Sequence, residues 1–200
     1  MTNKALVLSL FDVTGNMVGP WKEAGYETLC VDIARDGTDI RKWLPPRCEY
    51  RIVFAFPPCT DQAVSGSRWF KDKGLSGLAS AIELVERARD ICEWSGAPWM
   101  IENPVSMMSS YWREPDYTFH PHDFAGYEQD DNYTKKTCLW TGNGFKMPEP
   151  NPDNFALHPP DNRIHHAAPG PQRSAFRSVT PKGFAKAVFL ANESSTFFDY

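Results

Sequence analysis

Residues 51–70 read RIVFAFPPCTDQAVSGSRWF, and the reading of the whole chain turns on them. An apolar run over residues 52–56 is cut short by Pro57 and Pro58, and Cys59 comes at once after them. A short apolar run bounded by turn residues reads as a buried strand. The two prolines have no amide hydrogen to give a sheet and keep the chain extended, so they end the strand and stiffen the residues beyond it. Cys59 is thereby held at the carboxyl end of a strand, the edge where open α/β sheets carry ligands and chemistry. A lone cysteine is commonly no more than a small buried hydrophobe. The stiff stalk, the strand-end position and the polar segment behind it favour a nucleophile.

On the amino side, residues 5–11 (ALVLSLF) form a first buried strand and residues 12–16 (DVTGN) a turn. Residues 17–24 suit a helix closed by Gly25, a residue that accepts the left-handed position after a helix. Residues 27–31 form a second strand ending at Asp32. Strand, turn, helix and strand in this order build parallel sheets. In such units the turn after the first strand holds a nucleotide-like cofactor. An acid at the end of the second strand grips a ribose, because a carboxylate accepts hydrogen bonds from both hydroxyls. Asp32 lies 17 positions after Gly15, near the usual offset of about 20. The glycine pattern is thin and many such units bind nothing, so this unit alone leaves cofactor binding open.

On the carboxyl side, residues 39–43 read as a short turn or helix. Residues 60–77 read as a long polar loop with Gly66, Gly74 and Gly77, carrying Arg68, Lys71, Lys73, Trp69 and Phe70. Basic and aromatic residues on a mobile loop suit a phosphate backbone and bases; a solvated surface loop is the plainer alternative. Residues 78–94 are an amphipathic helix, with Leu78, Ala81, Ile82, Val85, Ala88 and Cys92 on one face and Gly96 as its stop. Cys92 therefore belongs to the core. Residues 98–101 are another buried strand, ending at Glu102, Asn103 and Pro104. An acid at a strand end beside a proline repeats the design at Cys59, and parallel neighbours would bring both to one edge.

Beyond residue 105 the texture changes. Residues 111–127 are aromatic and proline-broken, and His120 and His122 alternate without a third ligand nearby, so no metal is expected. Residues 135–142 form a further strand led in by Lys135 and Lys136. Residues 143–171 are rich in proline, asparagine and aspartate and read as irregular. Arg163, His165, His166, Arg173 and Arg177 are the best candidates for a local basic face. Thr180 and Pro181 open a last helix as cap and first-turn proline, with Phe184, Ala187, Val188 and Ala191 on its buried face.

The bulk numbers bound these readings. Two hundred residues with 42% hydrophobic content suit one domain with a full core. A net charge of −4 does not advertise a nucleic-acid binder, so any phosphate-binding face must be local. The five cysteines (Cys30, Cys48, Cys59, Cys92 and Cys138) include no CxxC pair, which argues against a zinc knuckle. No signal peptide and no membrane-spanning apolar stretch are read, and the expected location is the reducing cytoplasm.

Taken in order, these residues resemble the cytosine-5 DNA methyltransferases, most closely the short phage-type members. The stretch from Ser9, Leu10 and Phe11 to Asp32 is similar to the family's first cofactor motif and ribose acid. Asp39 matches the acid that contacts the cofactor's adenine. Pro57-Pro58-Cys59 matches the catalytic proline-proline-cysteine, and Glu102-Asn103 the glutamate-asparagine pair. Residues 133–142 fall where the family has an arginine-bearing strand, and residues 180–191 where its last motif returns to the cofactor.

The resemblance implies an α/β, Rossmann-like S-adenosylmethionine-dependent methyltransferase domain with a mostly parallel sheet and helices on both faces. It would span residues 1–192, with 143–176 an irregular insertion in place of a target-recognition domain and 193–200 a loose tail. It implies that Phe11, Asp12, Thr14, Gly15, Asn16, Asp32, Ile33, Asp39 and Pro57 bind S-adenosylmethionine. Cys59, Glu102, Pro58 and Asn103 would be catalytic, and Arg68, Lys135, Lys136, Arg173 and Arg177 would contact DNA. The implied partner is cytosine-containing DNA, with a specificity subunit or a second copy of the chain as further candidates, and without metal or membrane. If the chain is phage-encoded, its location is the host cytoplasm. In the family's chemistry a cysteine thiolate adds to carbon 6 of cytosine so that carbon 5 becomes nucleophilic, while the glutamate holds N3 and the exocyclic amine.

The sequence also departs from the family. Val13 stands where the first motif has glycine, and Asn16 where a second glycine is common. Lys135 and Lys136 replace arginine and lack its planar fork. The last motif lacks a glycine-asparagine pair, and residues 143–176 are too few for a reading domain. Two alternatives arise from these departures: the same chemistry on RNA or a free cytosine nucleotide, and a cofactor-fold binding module without catalysis.

Overall fold

The computed structural model describes residues 5–156, 158–166 and 172–193. The expected tail lies outside the described residues from 194 on. Six strands form one sheet: β1 (Leu6–Leu10), β2 (Thr28–Val31), β3 (Tyr50–Ala55), β4 (Trp99–Pro104), β5 (Tyr117–Phe119) and β6 (Thr137–Gly142). Their order is β2-β1-β3-β4-β6-β5. β1 pairs parallel with β2 and β3, β3 pairs parallel with β4, and β6 runs antiparallel to β4. The α/β class with a mostly parallel sheet is thus the class observed.

Alternation along the strands divides two buried faces. Leu6, Leu8 and Leu10 of β1 join Val53, Ala55, Trp99, Ile101 and Trp140 in one core. The helix α3 (Phe70–Ser95) covers that face, against β3 and β4, through Val85, Ala88, Ile91 and Cys92. On the other face Phe54 meets Trp21 of α1 (Gly19–Glu23) at 6.3 Å between ring centroids. All five residues of β1 are buried, as a strand covered on both sides requires. Full burial of a side chain such as Trp21 or Trp140 contributes about 1.5–3 kcal/mol or more. Trp99 lies opposite Gly142 in the β4–β6 pairing, and a β-carbon at residue 142 would overlap the Trp99 indole.

Three local expectations need correction. Residues 60–77 are not a long loop: a 3₁₀ turn at Val64–Trp69 leads directly into α3, which kinks at Gly74 (φ 67°, ψ −174°). Of the glycines that suggest a loop, Gly74 serves the kink, with a positive φ of 67°, and Gly77 lies within the helix. Ile82, expected on the buried face, is 43% exposed, because the stripe that meets the sheet runs through Ala81, Val85 and Ala88. Among the described residues of 143–176, the irregular part reaches residue 162. Two short helices come next, α5 (Arg163–His166) and α6 (Gln172–Ser178), after α2 (Ile33–Asp36) and α4 (Met108–Tyr111) earlier in the chain.

The chain divides into two compact units. One comprises residues 1–118 and 137–145; the other comprises 119–136 and 146–200. The second unit has its own aromatic core: Phe184 of α7 (Lys182–Glu193) stacks on Phe119 at 4.0 Å and packs against Phe124 at 5.2 Å. The buried Asp131 carboxylate accepts from the Gly183 amide at 2.7 Å. Asn192 bonds both ways to the Lys146 backbone at 2.9 Å, which joins the end of α7 to the start of this unit's longer segment.

Candidate active site

Three chain segments meet at the carboxyl edge of the parallel strands. The chain leaves β1 toward β2 on one side and returns to β3 on the other, so the topology switches beside β1. In open α/β sheets the crevice outside the strand ends at such a switch is where ligands bind. Residues 11–16 come after β1, residues 56–59 after β3, and Glu102 and Asn103 lie near the end of β4.

The first segment is shaped by one carboxylate. Asp12 is 3% exposed. Its Oδ2 accepts from the Ser9 hydroxyl at 2.8 Å, and its Oδ1 accepts from the Gly15 amide at 2.6 Å and the Thr14 hydroxyl at 3.2 Å. The Thr14 hydroxyl in turn accepts from the Asn16 amide at 3.2 Å. Gly15 takes φ 72°, a conformation glycine adopts without steric cost. Phe11 takes φ 57°, uncommon for a bulky residue, and its amide is held by the Val31 carbonyl at 2.8 Å. Such backbone positions persist only where the surroundings fix them, and they cluster at functional sites. The Arg35 guanidinium reaches across to the Val13 carbonyl at 3.0 Å.

The neighbouring acids differ in how they are engaged. Asp32 caps α2, its Oδ1 accepting from the Ala34 amide at 2.6 Å. Asp39 holds Arg41 through both oxygens, at 2.8 and 2.9 Å, and that arrangement keeps its carboxyl below the usual range. Ile33, next to Asp32, and Val13, next to Asp12, expose 64% and 54% of their surface. Burial first, and the Asp12 carboxylate second, push the Cys30 thiol of β2 up to about 11, so it stays protonated near neutrality.

The second and third segments are stitched together. Asn103, 1% exposed, donates from Nδ2 to the Pro57 carbonyl at 2.9 Å across 46 residues of sequence. Ala63 and Ser106 form an antiparallel bridge, and the Val64 amide bonds to the Val105 carbonyl at 3.0 Å. The Met107 amide bonds to the Gln62 carbonyl at 3.2 Å. The Pro-Pro-Cys corner and the Glu-Asn corner are therefore one structure. Cys59 and Glu102 are both half-buried in it, and none of the five cysteines is in a disulfide.

Of the other singled-out residues, Arg68 lies in the 3₁₀ turn after Cys59. Lys135, Lys136, Arg173 and Arg177 belong to the second unit. Arg163 of the expected basic face is committed to Asp161 at 2.5 Å and lies 5.3 Å over the Tyr133 ring. Gln62, 2% exposed, is a residue the sequence does not single out; its only hint is an amide three places after the cysteine. Among the described residues no group of three or more histidines, cysteines or acids gathers, and no helix is long and apolar enough to cross a membrane.

No protein-family model matches the chain, and no curated protein does. A solved structure that superposes on it is a candidate DNA modification methyltransferase encoded within a prophage, from E. coli. The TM-score is 0.41 and the identity 12%, over 70% of this chain and 46% of that one. The chain thus spans a little under half the length of that protein. A likeness of this depth carries no argument about activity.

Proposed function

We propose that the chain transfers a methyl group from S-adenosylmethionine to carbon 5 of cytosine in DNA through a covalent Cys59 adduct. The observation that carries this reading is the Asn103–Pro57 hydrogen bond, which fixes the nucleophile's stalk to the Glu102 corner. A general nucleophile on a strand end does not need a carboxyl group built into the same corner; a cytosine ring does, because a protonated carboxyl donates to N3 through its O–H while its other oxygen accepts from the exocyclic amine.

Support for the cofactor comes from the first segment and from the residues that follow β2. Asp32 uses Oδ1 as a helix cap and has Oδ2 left for ribose hydroxyls. Ile33 and Val13 offer exposed apolar surface where a flat purine needs cover. Asp39 reaches an adenine only by yielding Arg41, and exposed ion pairs yield at little cost. When bound, S-adenosylmethionine would supply the methyl group, its sulfur keeping the electron pair of the broken bond as a neutral thioether.

The thiolate of Cys59 adds to carbon 6, and Glu102 steadies the ring at N3 and the amine. Carbon 5, now electron-rich, takes the methyl group. A base then removes the carbon 5 proton, the electron pair re-forms the ring double bond, and the Cys59 thiolate leaves. In duplex DNA the base must first leave the stack, at a cost of a few kcal/mol.

The test is covalent trapping. Fluorine at carbon 5 cannot leave as a proton does, so DNA carrying 5-fluorocytosine should form a stable cross-link that needs S-adenosylmethionine and is abolished in Cys59→Ser. That variant should fold and bind the cofactor as the native chain does. Trapping on RNA or a free nucleotide alone would move the substrate to those classes; of the two, the net charge of −4 speaks for the free nucleotide. No trapping on any substrate, together with no heat on titrating S-adenosylmethionine, would favour a binding module.

A further inference from the structure

Pro57 and Pro58 lack amide hydrogens, so their carbonyls are the only backbone polar groups of the stalk that need partners. Each receives a side-chain amide. Asn103 donates to the Pro57 carbonyl at 2.9 Å, and Gln62 donates from Nε2 to the Pro58 carbonyl at 3.2 Å. Both amides are essentially buried, at 1% and 2% exposure. The next carbonyl, that of Cys59, accepts from the Gln62 amide at 3.2 Å and the Ala63 amide at 2.8 Å. Gln62 therefore touches the peptide planes on both sides of the Cys59 α-carbon, one by its side chain and the other by its backbone. Its own carbonyl is anchored by Met107 at 3.2 Å, beyond the end of β4.

Two peptide planes held in place fix φ and ψ of the residue between them, and with them the direction of its Cα–Cβ bond. We propose that Gln62 is a positioning residue that aims the Cys59 thiol by fixing the direction of its Cα–Cβ bond. For turnover this rests on the reading above; for the thiol's orientation it does not. Misplacement of a reacting atom by about an ångström can cost on the order of a hundredfold in rate.

The test uses Gln62→Met, which keeps the length and loses the donor, and reads two quantities. The first is methyl transfer to cytosine DNA at saturating S-adenosylmethionine: kcat should fall at least tenfold with KM within about twofold. The second is site-resolved alkylation by iodoacetamide. Loosened from its fixed direction, Cys59 should label at least threefold faster relative to exposed Cys48, while buried Cys92 and Cys138 stay unlabelled. Native kcat with native Cys59 labelling overturns the proposal. If the native chain transfers no methyl group, the function fails and the labelling ratio alone decides the positioning role. If Cys92 and Cys138 become labelled, the variant has unfolded and Gln62→Glu decides. Its carboxyl donates to Pro58 when protonated and repels the carbonyl when ionised, so the Cys59 to Cys48 ratio should drop toward the native value as pH falls. A pH-independent ratio equal to the native one overturns the proposal.

Discussion

The turn after β1 and the corner after β3 lie on the same sheet edge, yet they are held by opposite means. The first is shaped from within: Asp12 gathers Ser9, Thr14 and Gly15, all within three residues of itself. The second is shaped from without: two prolines offer only carbonyls, and one of the amides that satisfy them comes from Asn103, on another strand. A loop organised by its own carboxylate can form before the sheet does. A loop organised by a neighbour's amide takes its final form only once β3 and β4 have paired. The division suits the proposed tasks, since a cofactor cradle tolerates local adjustment whereas a nucleophile must be aimed at a ring held by a different strand.

The sharpest way to break this contrast is Asn103→Leu. It leaves the Pro57 carbonyl buried without its donor, which should cost about 1–3 kcal/mol of stability in denaturant unfolding. Methyl transfer should fall on the order of a hundredfold in kcat because the stalk is no longer joined to the Glu102 corner. A loss of stability without a loss of kcat would show the corner to be merely structural. Asp12→Ala tests the other side. It strands the Ser9 hydroxyl and the Gly15 amide, again about 1–3 kcal/mol. Here the expected functional loss is about tenfold in S-adenosylmethionine affinity by calorimetry, with native kcat at saturation. If kcat fell instead, the two regions would not divide binding from chemistry. The smallest effect is expected from Asp39→Asn. Its partner Arg41 is a surface one, so the melting temperature should not move, and cofactor affinity should change no more than severalfold. A larger loss would add Asp39 to the cradle's essential contacts.

The same contrast explains which features are legible in the sequence. β1, β3 and β4 announce themselves as apolar runs ended by turn residues, and Asp12, Gly15 and Asp32 are visible because their partners are close in sequence. The Pro-Pro-Cys and Glu-Asn motifs can be placed at one edge from strand logic alone. The donors that join them cannot, because Asn103 meets Pro57 across 46 residues and Gln62 folds back through a turn that no periodicity marks. Residues 60–77 mislead for a related reason. Three glycines and several charges suggest a loop, yet the packing of residues 63–64 against 105–106 and the start of α3 order the segment, and one glycine serves only to kink it. The exposure of Ile82 likewise depends on how narrow a stripe of α3 the sheet covers.

Trp99 and Gly142 add a consequence that concerns alignment. Seated opposite each other, they let an indole lie across bare backbone, and the same pairing sets Glu102 opposite Leu139. Shifting β6 by two places in one direction would bring Trp140 to Trp99 in place of bare backbone, and a shift of one would turn every side chain of the strand to the wrong face. The missing side chain at residue 142 thus acts as the notch of a key: it seats the Trp99 indole in this frame, and three residues along the same frame sets where the proposed catalytic carboxylate stands.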